Sequence, residues 1–400
     1  MRHYEMAYEL IQRGHCVSII ASSFDHFSHV EQRLTNGESY KIQMIDGIRY
    51  LWLKSPQYKR NGARRIWNMI HFATSIAKKG AVLPRLSSPD IVMGSSPTLF
   101  AALAAEHLAR KFRVPFVLEI RDLWPQSLVD LGSMSDKHPV VLGLSVIERH
   151  LYRHATHVIS LLPGAKDYIV DRGGKADAVS WLPNGAKLQR LQSRHNGAPN
   201  EPFTVLYAGA HGLANGLDAV LNAAAILDKR ESHRSIEVHL VGNGPEKARL
   251  QARADREHIR SIRFFDEVPK SMVASLMIAA DALLLPLRKA KLYEFGVSPN
   301  KLYHYMAASR PIIFATGSSN NPVQEAGAGV TVPAEDPPAI ADAIQTLALL
   351  TDEQRLAMGR RGREYVEKYH SIESLAENLE RILLSAIPAE AGQSVAITQT

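Results

Sequence analysis

Short apolar runs alternate with helix-length amphipathic stretches twice along this chain, on either side of one polar break. Strands are expected at 16–21, 48–53, 89–94, 115–120 and 158–161, and again at 204–207, 236–241, 262–265, 282–285, 311–315 and 329–332. Helical spacing fills the gaps, as in Tyr4, Ala7, Leu10 and Ile11, or Ile66, Ile70 and Ile76. Such alternation builds parallel sheets covered on both faces, so each half is expected to be a doubly wound, Rossmann-like α/β domain. At 400 residues the chain is too long for one ordinary core. The break at 190–203 is polar and holds Pro199 and Pro202, as a linker would. The expected organisation is therefore a domain over 1–190, a second over 203–370, a C-terminal helix over 371–387 that packs back on the first domain, and a disordered tail over 388–400.

The net charge of +7 and pI near 9.3 suit an anionic partner: nucleotide phosphates, acidic headgroups or nucleic acid. No nucleic-acid recognition module accompanies the scattered basic residues, so nucleic acid is not expected. The single cysteine, Cys16, rules out an internal disulfide and is read as a core residue. No run reaches the ~20 apolar residues of a membrane span, and the start lacks a secretory h-region. A cytoplasmic protein is expected.

Three segments carry chemistry. Tyr207-Ala208-Gly209-Ala210-His211-Gly212 runs from a strand into a glycine loop that opens a helix, where backbone N–H groups meet a phosphate. A bare strand–helix turn is the competing reading. The next strand ends on Gly242-Asn243-Gly244, and neither loop spells the dinucleotide fingerprint. In Ser298-Pro299-Asn300-Lys301, Pro299 starts a helix and brings Ser298, Asn300 and Lys301 to its N-terminus, suited to a diphosphate. The alternative is an exposed lysine on an ordinary helix start. His150, His154 and His157 lack the companion residues of a metal motif, so no metal site is expected. Lys54, Lys59, Arg60, Arg64 and Arg65 lie among Trp52, Tyr58 and Trp67, as a membrane-surface contact or a solvated basic face would.

In combination with Ala280–Pro286 and Pro311–Ile313, these segments resemble family 4 of the retaining glycosyltransferases. Glu119-Ile120-Arg121-Asp122-Leu123-Trp124-Pro125 is similar to the branch that builds O-antigen and capsule polysaccharides with aminosugars of the fucosamine type. The resemblance spans nearly the whole chain. It implies two Rossmann-like domains facing a cleft, the GT-B architecture, with the acceptor on the N-terminal domain and the nucleotide-sugar donor on the C-terminal one. It implies retention of anomeric configuration with no metal and no cofactor. Lys301 would offset the leaving diphosphate, with Gly209, His211, Gly212, Gly242, Gly244, Ser298, Asn300 and His304 around the donor. Asp122 would take the acceptor's proton with Arg121 and Trp124 beside it, unless the Arg–Asp pair only fixes a loop. The acceptor would be a saccharide or a lipid-linked one, with the protein peripheral on the inner face of the cytoplasmic membrane.

This sequence departs from the family in places. The family's second glutamate before the final helix becomes His304, and the first falls near Gly296 or Glu294. Its Arg and Lys in the first glycine loop become Ala210 and Asn215, which throws more charge compensation on Lys301. Family members open with a strand and a glycine loop ahead of the helix that starts at Arg2, so a central first strand is expected to be missing. A degenerate nucleotide-binding copy and a sugar-nucleotide epimerase are the alternative functions.

Overall fold

The computed structural model describes residues 2–26, 28–58, 62–80, 88–96, 98–130, 134–188, 201–230 and 234–388. The expected linker and tail lie almost wholly outside these residues, as do Lys59 and Arg60. The chain forms two compact units, Met1–Pro183 with Ile372–Thr400, and Asn184–Ser371.

In the first unit the order is α1 (Arg2–Gln12), β1 (Ser18–Ser22), β2 (Phe24–Asp25), β3 (Val30–Glu31), β4 (Tyr40–Ile45), β5 (Ile48–Leu53), α2 (Ala63–Lys79), β6 (Val92–Ser95), α3 (Leu99–Phe112), β7 (Phe116–Ile120), α4 (Gln126–Asp130), α5 (Pro139–His154), β8 (His157–Ser160), α6 (Lys166–Asp171) and β9 (Val179–Trp181). The second unit runs β10 (Phe203–Ala208), α7 (Leu217–Leu227), β11 (Ile236–Val241), α8 (Lys247–Arg256), β12 (Ile262–Phe265), α9 (Lys270–Ala279), β13 (Ala282–Pro286), α10 (Asn300–Ala307), β14 (Ile312–Thr316), α11 (Pro322–Ala326), β15 (Gly329–Pro333), α12 (Pro337–Leu349) and α13 (Asp352–Tyr369). Helix α14 (Ile372–Ala386) returns to the first unit, where Leu375 and Leu379 share a core with Met6 and Leu10 of α1.

The second unit is one parallel sheet in the order β12-β11-β10-β13-β14-β15. Strands β13 and β14 are buried on both faces because helices cover both, which is why their sequences read as unbroken apolar runs. Successive connections leave β10 in opposite directions along the sheet. The crevice beyond the carboxyl ends of β10 and β13 is therefore the topological switch point, where open α/β sheets hold ligands.

The first unit's sheet is split. One piece runs β4-β5-β1, with β4 antiparallel to β5, and the other runs β6-β7-β8-β9. No described strand joins β1 to β6. Four of the five β1 residues are only half-buried, whereas every residue of β7 is buried. Strand β4 is unmarked in the sequence reading because its apolar residues, Ile42 and Met44 among them, face outward. Cys16 is exposed, which corrects its reading as core: it sits in the loop ahead of β1, and the sheet interior begins beyond it.

A buried ionic cluster fixes the start of α1. Arg2 Nε meets Glu119 Oε1 at 2.8 Å, and its two terminal nitrogens donate to the carbonyls of Pro183 and Leu182. His3 Nε2 lies 2.7 Å from Glu119 Oε2, which also accepts from the Ser95 hydroxyl at 2.5 Å. Burial works against the Glu119 charge, but His3, Arg2 and Ser95 outweigh it and hold the carboxyl far below the usual range. Removing one member of a buried pair typically costs about 3–5 kcal/mol, because the other charge stays buried without compensation. Arg2→Ala is expected to lower urea-unfolding stability by that order. Because the folded carboxyl titrates below its unfolded value, the Glu119 contribution is present at neutral pH and is lost as pH falls below about 4. An acid-unfolding midpoint unchanged in Glu119→Gln would contradict this.

Candidate functional site

At the switch point, β10 ends at Ala208 and the chain enters Gly209 with φ of 154°. Lys301, in the first turn of α10, crosses directly over that glycine. A Cβ on Gly209 would stand 2.1 Å from Lys301 Cε and 2.3 Å from Nζ, so the glycine makes room for the lysine. The ammonium donates to the Tyr207 hydroxyl at 2.6 Å and to Asn215 Oδ1 at 3.3 Å, and lies 4.2 Å from the Tyr207 ring centroid. The Tyr207 hydroxyl in turn donates to the Ala210 carbonyl, which also accepts from Asn215 Nδ2. Tyr207, Asn215 and the loop backbone thus form one cradle. Burial lowers the Lys301 amine from 10.5 to about 8.

The two glycine loops are stitched together. Gly209 N–H donates to Val241 and His211 N–H to Asn243. A Cβ on Gly242, whose φ is 142°, would strike the Gly209 carbonyl oxygen at 2.1 Å. Lys247 holds the second loop from below, donating to the Gly242 and Phe265 carbonyls and to Asp266. This buried lysine opens α8 in a polar stretch, and nothing in the sequence distinguishes it from its exposed neighbours.

Sequence expectation and geometry part company at His211. The ring was expected to contact the donor, but the residue is fully buried between Tyr207 and Phe264. Burial, with Lys247 and Lys301 nearby, pushes it down to about 4, so it is neutral at pH 7. Its place is inside the loop, supporting it. Ser298 also has a structural engagement: its hydroxyl accepts from Asn184 N–H at 2.7 Å, and its carbonyl accepts from Asn184 Nδ2. Asn300 is exposed at the N-terminus of α10, and His304 is half-buried one turn beyond Lys301. Gly212 begins a 3₁₀ turn (Leu213–Asn215), so the first loop does not run straight into α7 as expected. Beside it opens a polar pocket of about 190 Å³, lined by Gly212, Gly216, Glu246, Arg249, Arg288 and Glu335 among others. Gly244 packs against the His211 backbone.

In the first unit the loop after β7 carries Arg121, Asp122 and Trp124. It is fastened by Ser96, whose hydroxyl accepts from Arg121 N–H at 2.9 Å and whose own N–H donates to the Glu119 carbonyl. Asp122 is exposed, yet the protein atoms crowding it raise its carboxyl above the usual value, with Arg121 opposing. The three histidines do not converge. His150 and His154 stack at 4.1 Å, while His157 turns to Ser180. The aromatic residues expected with the basic cluster also separate. Trp52 stacks on Tyr50 and Tyr58 is buried against Phe24, while Trp67 stays exposed. No helix among the described residues is long and apolar enough to cross a membrane.

Known proteins resemble this chain in sequence and in fold. A family model described as "Glycosyl transferase 4-like domain" matches residues 2–185, and one described as "Glycosyl transferases group 1" matches residues 202–349. The chain is 24% identical over 317 residues to the colanic acid biosynthesis glycosyl transferase WcaI of Escherichia coli (strain K12), covering 76% of each. Its fold is similar to that of sucrose-phosphate synthase from Thermosynechococcus elongatus, with a TM-score of 0.73 and 16% identity, over 96% of this chain and 92% of the other. It is also similar to Anabaena Alr3699/HepE in complex with UDP and glucose, with a TM-score of 0.67 and 13% identity, over 96% and 95%.

The geometry makes two measurable demands. Gly242→Ala meets backbone rather than a yielding side chain, so it is expected to unfold the second unit or cost it several kcal/mol, on the order of other severe core changes. Calorimetry would read this as a selective loss of that unit's transition. Below pH 8 the lysine is charged in both folded and unfolded chains and its burial is penalised. Apo stability from this group is therefore expected to rise between pH 8 and 10.5. Nucleoside diphosphate affinity is expected to fall over the same range, and affinity flat to pH 10 would contradict the assignment.

Proposed function

Since the chain belongs to family 4 of the glycosyltransferases, we propose that it takes its sugar from a UDP-linked donor, a hexose or aminosugar, and transfers it with retention in surface polysaccharide assembly. The observation that carries the donor reading is Lys301 lying across Gly209 at the switch point of the second unit. There an ammonium and the N-terminus of α10 offer positive potential to a diphosphate. The UDP complex of the Anabaena relative supports a nucleotide-sugar donor. The WcaI relative supports polysaccharide assembly.

In the transfer, the bond between the anomeric carbon and the diphosphate oxygen breaks and a bond to the acceptor oxygen forms. The acceptor hydroxyl loses its proton, and UDP leaves carrying the added negative charge. Lys301 is proposed to offset that charge. Arg288, whose backbone N–H donates to the Ala214 carbonyl, is proposed as a second cation, in place of those the family carries at Ala210 and Asn215. With these charges supplied by the protein, the proposed mechanism needs neither metal nor cofactor. Asp122 is proposed to accept the hydroxyl proton, a task its raised carboxyl suits better than an ordinary aspartate. Arg121 and Trp124 would hold the acceptor, a saccharide or a lipid-linked one. The site of action is proposed to be the cytoplasmic face of the membrane.

The test is thermal stability of the purified chain with UDP, GDP, CMP and NAD, alongside Lys301→Met. Ligand at about 100 times its dissociation constant adds ~2.7 kcal/mol to the folded state. A selective UDP shift in the wild type, abolished in a folded Lys301→Met, is expected, together with a loss of transfer by at least ~100-fold. A UDP shift without transfer to any acceptor or donor hydrolysis would instead identify a degenerate nucleotide-binding copy.

A further inference from the structure

An apolar groove of about 600 Å³ runs across the outer side of α2, α3 and α5 in the first unit. Ile70 and Ala73 of α2 form one wall, Leu103 of α3 lies in the lining, and Val146 and Ile147 of α5 form the other wall. The groove's edges carry large apolar side chains into solvent. Val146 is 69% exposed and Leu142, one turn before it, 55%; across the groove Trp67, one turn before Ile70, is 58% exposed. A folded chain leaves such neighbouring groups exposed at a cost unless something covers them.

The charge around the groove says what covers it. Helix α2 carries four Lys or Arg and no carboxylate, while α3 and α5 carry two Lys or Arg and one carboxylate each. Those two carboxylates, Glu106 and Glu148, are each only 1% exposed. Glu148 is turned inward to Tyr152 and Tyr168. Glu106 is taken up by Arg110, with His150 at 3.8 Å. The outer surface of the three helices is therefore basic, with no exposed acid and an apolar furrow down its middle. Lys78 lies one turn beyond the lining residue Thr74, and Lys111 one turn beyond His107, so both cations flank the furrow. Apolar side chains between cations are the pattern of a surface that enters the headgroup layer of an anionic bilayer.

We propose that this face docks the protein on an anionic lipid surface: Trp67, Leu142 and Val146 enter the acyl boundary, an acyl chain lies in the groove, and Lys78 and Lys111 meet headgroup phosphates. The proposal rests on the first unit alone and is independent of the donor site.

The test is sedimentation of the full chain with phosphatidylglycerol-containing vesicles and with pure phosphatidylcholine vesicles. Binding to the anionic vesicles alone is expected, weakened by salt. Val146→Asp, and separately the double variant Lys78→Glu with Lys111→Glu, are each expected to reduce it by about tenfold or more. All three positions lie at the surface, and an unchanged circular dichroism spectrum and thermal melt of each variant without vesicles report that the fold survives. No binding to anionic vesicles would overturn the proposal. So would binding that both variants leave intact, or that Val146→Asp leaves intact, which would make it purely electrostatic. A wild-type dimer that Val146→Asp dissociates, with no vesicle binding, would assign the face to a second copy of the chain and overturn it as well.

Discussion

A single lysine laid across a glycine organises the second unit. Lys301 Nζ reaches the Tyr207 hydroxyl only because Gly209 has no Cβ in the way. Tyr207 and Asn215 converge on the Ala210 carbonyl, so the loop's shape and the lysine's position are one arrangement. Gly242 and Gly244 belong to the same packing problem. Their missing side chains let the second loop press against the first, backbone on backbone. The glycines that read in the sequence as phosphate contacts serve first to bring these segments together.

Burying an ammonium among neutral partners has a cost that a bound diphosphate would offset. The hydroxyl and amide that hold Lys301 carry no formal charge, and desolvation alone lowers its amine to about 8. Had the cradle contained a carboxylate, the lysine would be neutralised within the protein and less responsive to an anion. His211 fits the same logic: fully buried and neutral, it adds bulk to the loop without adding charge. The first unit solves the opposite problem with Glu119, whose charge is saturated by Arg2, His3 and Ser95. That carboxylate is structural, and the raised Asp122 three residues later is the one left open to solvent.

Much of this was legible in the sequence. The parallel strands of the second unit announce themselves as apolar runs because both faces are covered, and their ends fall within a residue of expectation. What escaped notice depends on long-range partners. Arg2 and Glu119 lie 117 positions apart, and Lys247 is buried only because the ends of β11 and β12 converge on it. Strand β4 pairs along one edge and alternates with Tyr40, Ile42 and Met44 on its exposed face, the reverse of the core-facing pattern that marks a strand. Neither the burial of His211 nor the exposure of Cys16, which reads as a core residue, is legible locally, because a local run of residues does not say which side the next element will cover.

The most direct measurement is a titration of the Lys301 side chain by NMR on a lysine-labelled sample, assigned with Lys301→Met, with and without UDP. The free protein is expected to show a midpoint near 8. That midpoint is expected to move upward when UDP binds, because an anion against the ammonium favours the charged form. A midpoint at the ordinary lysine value, or one that UDP leaves unmoved, would show that the cradle is not where the diphosphate sits.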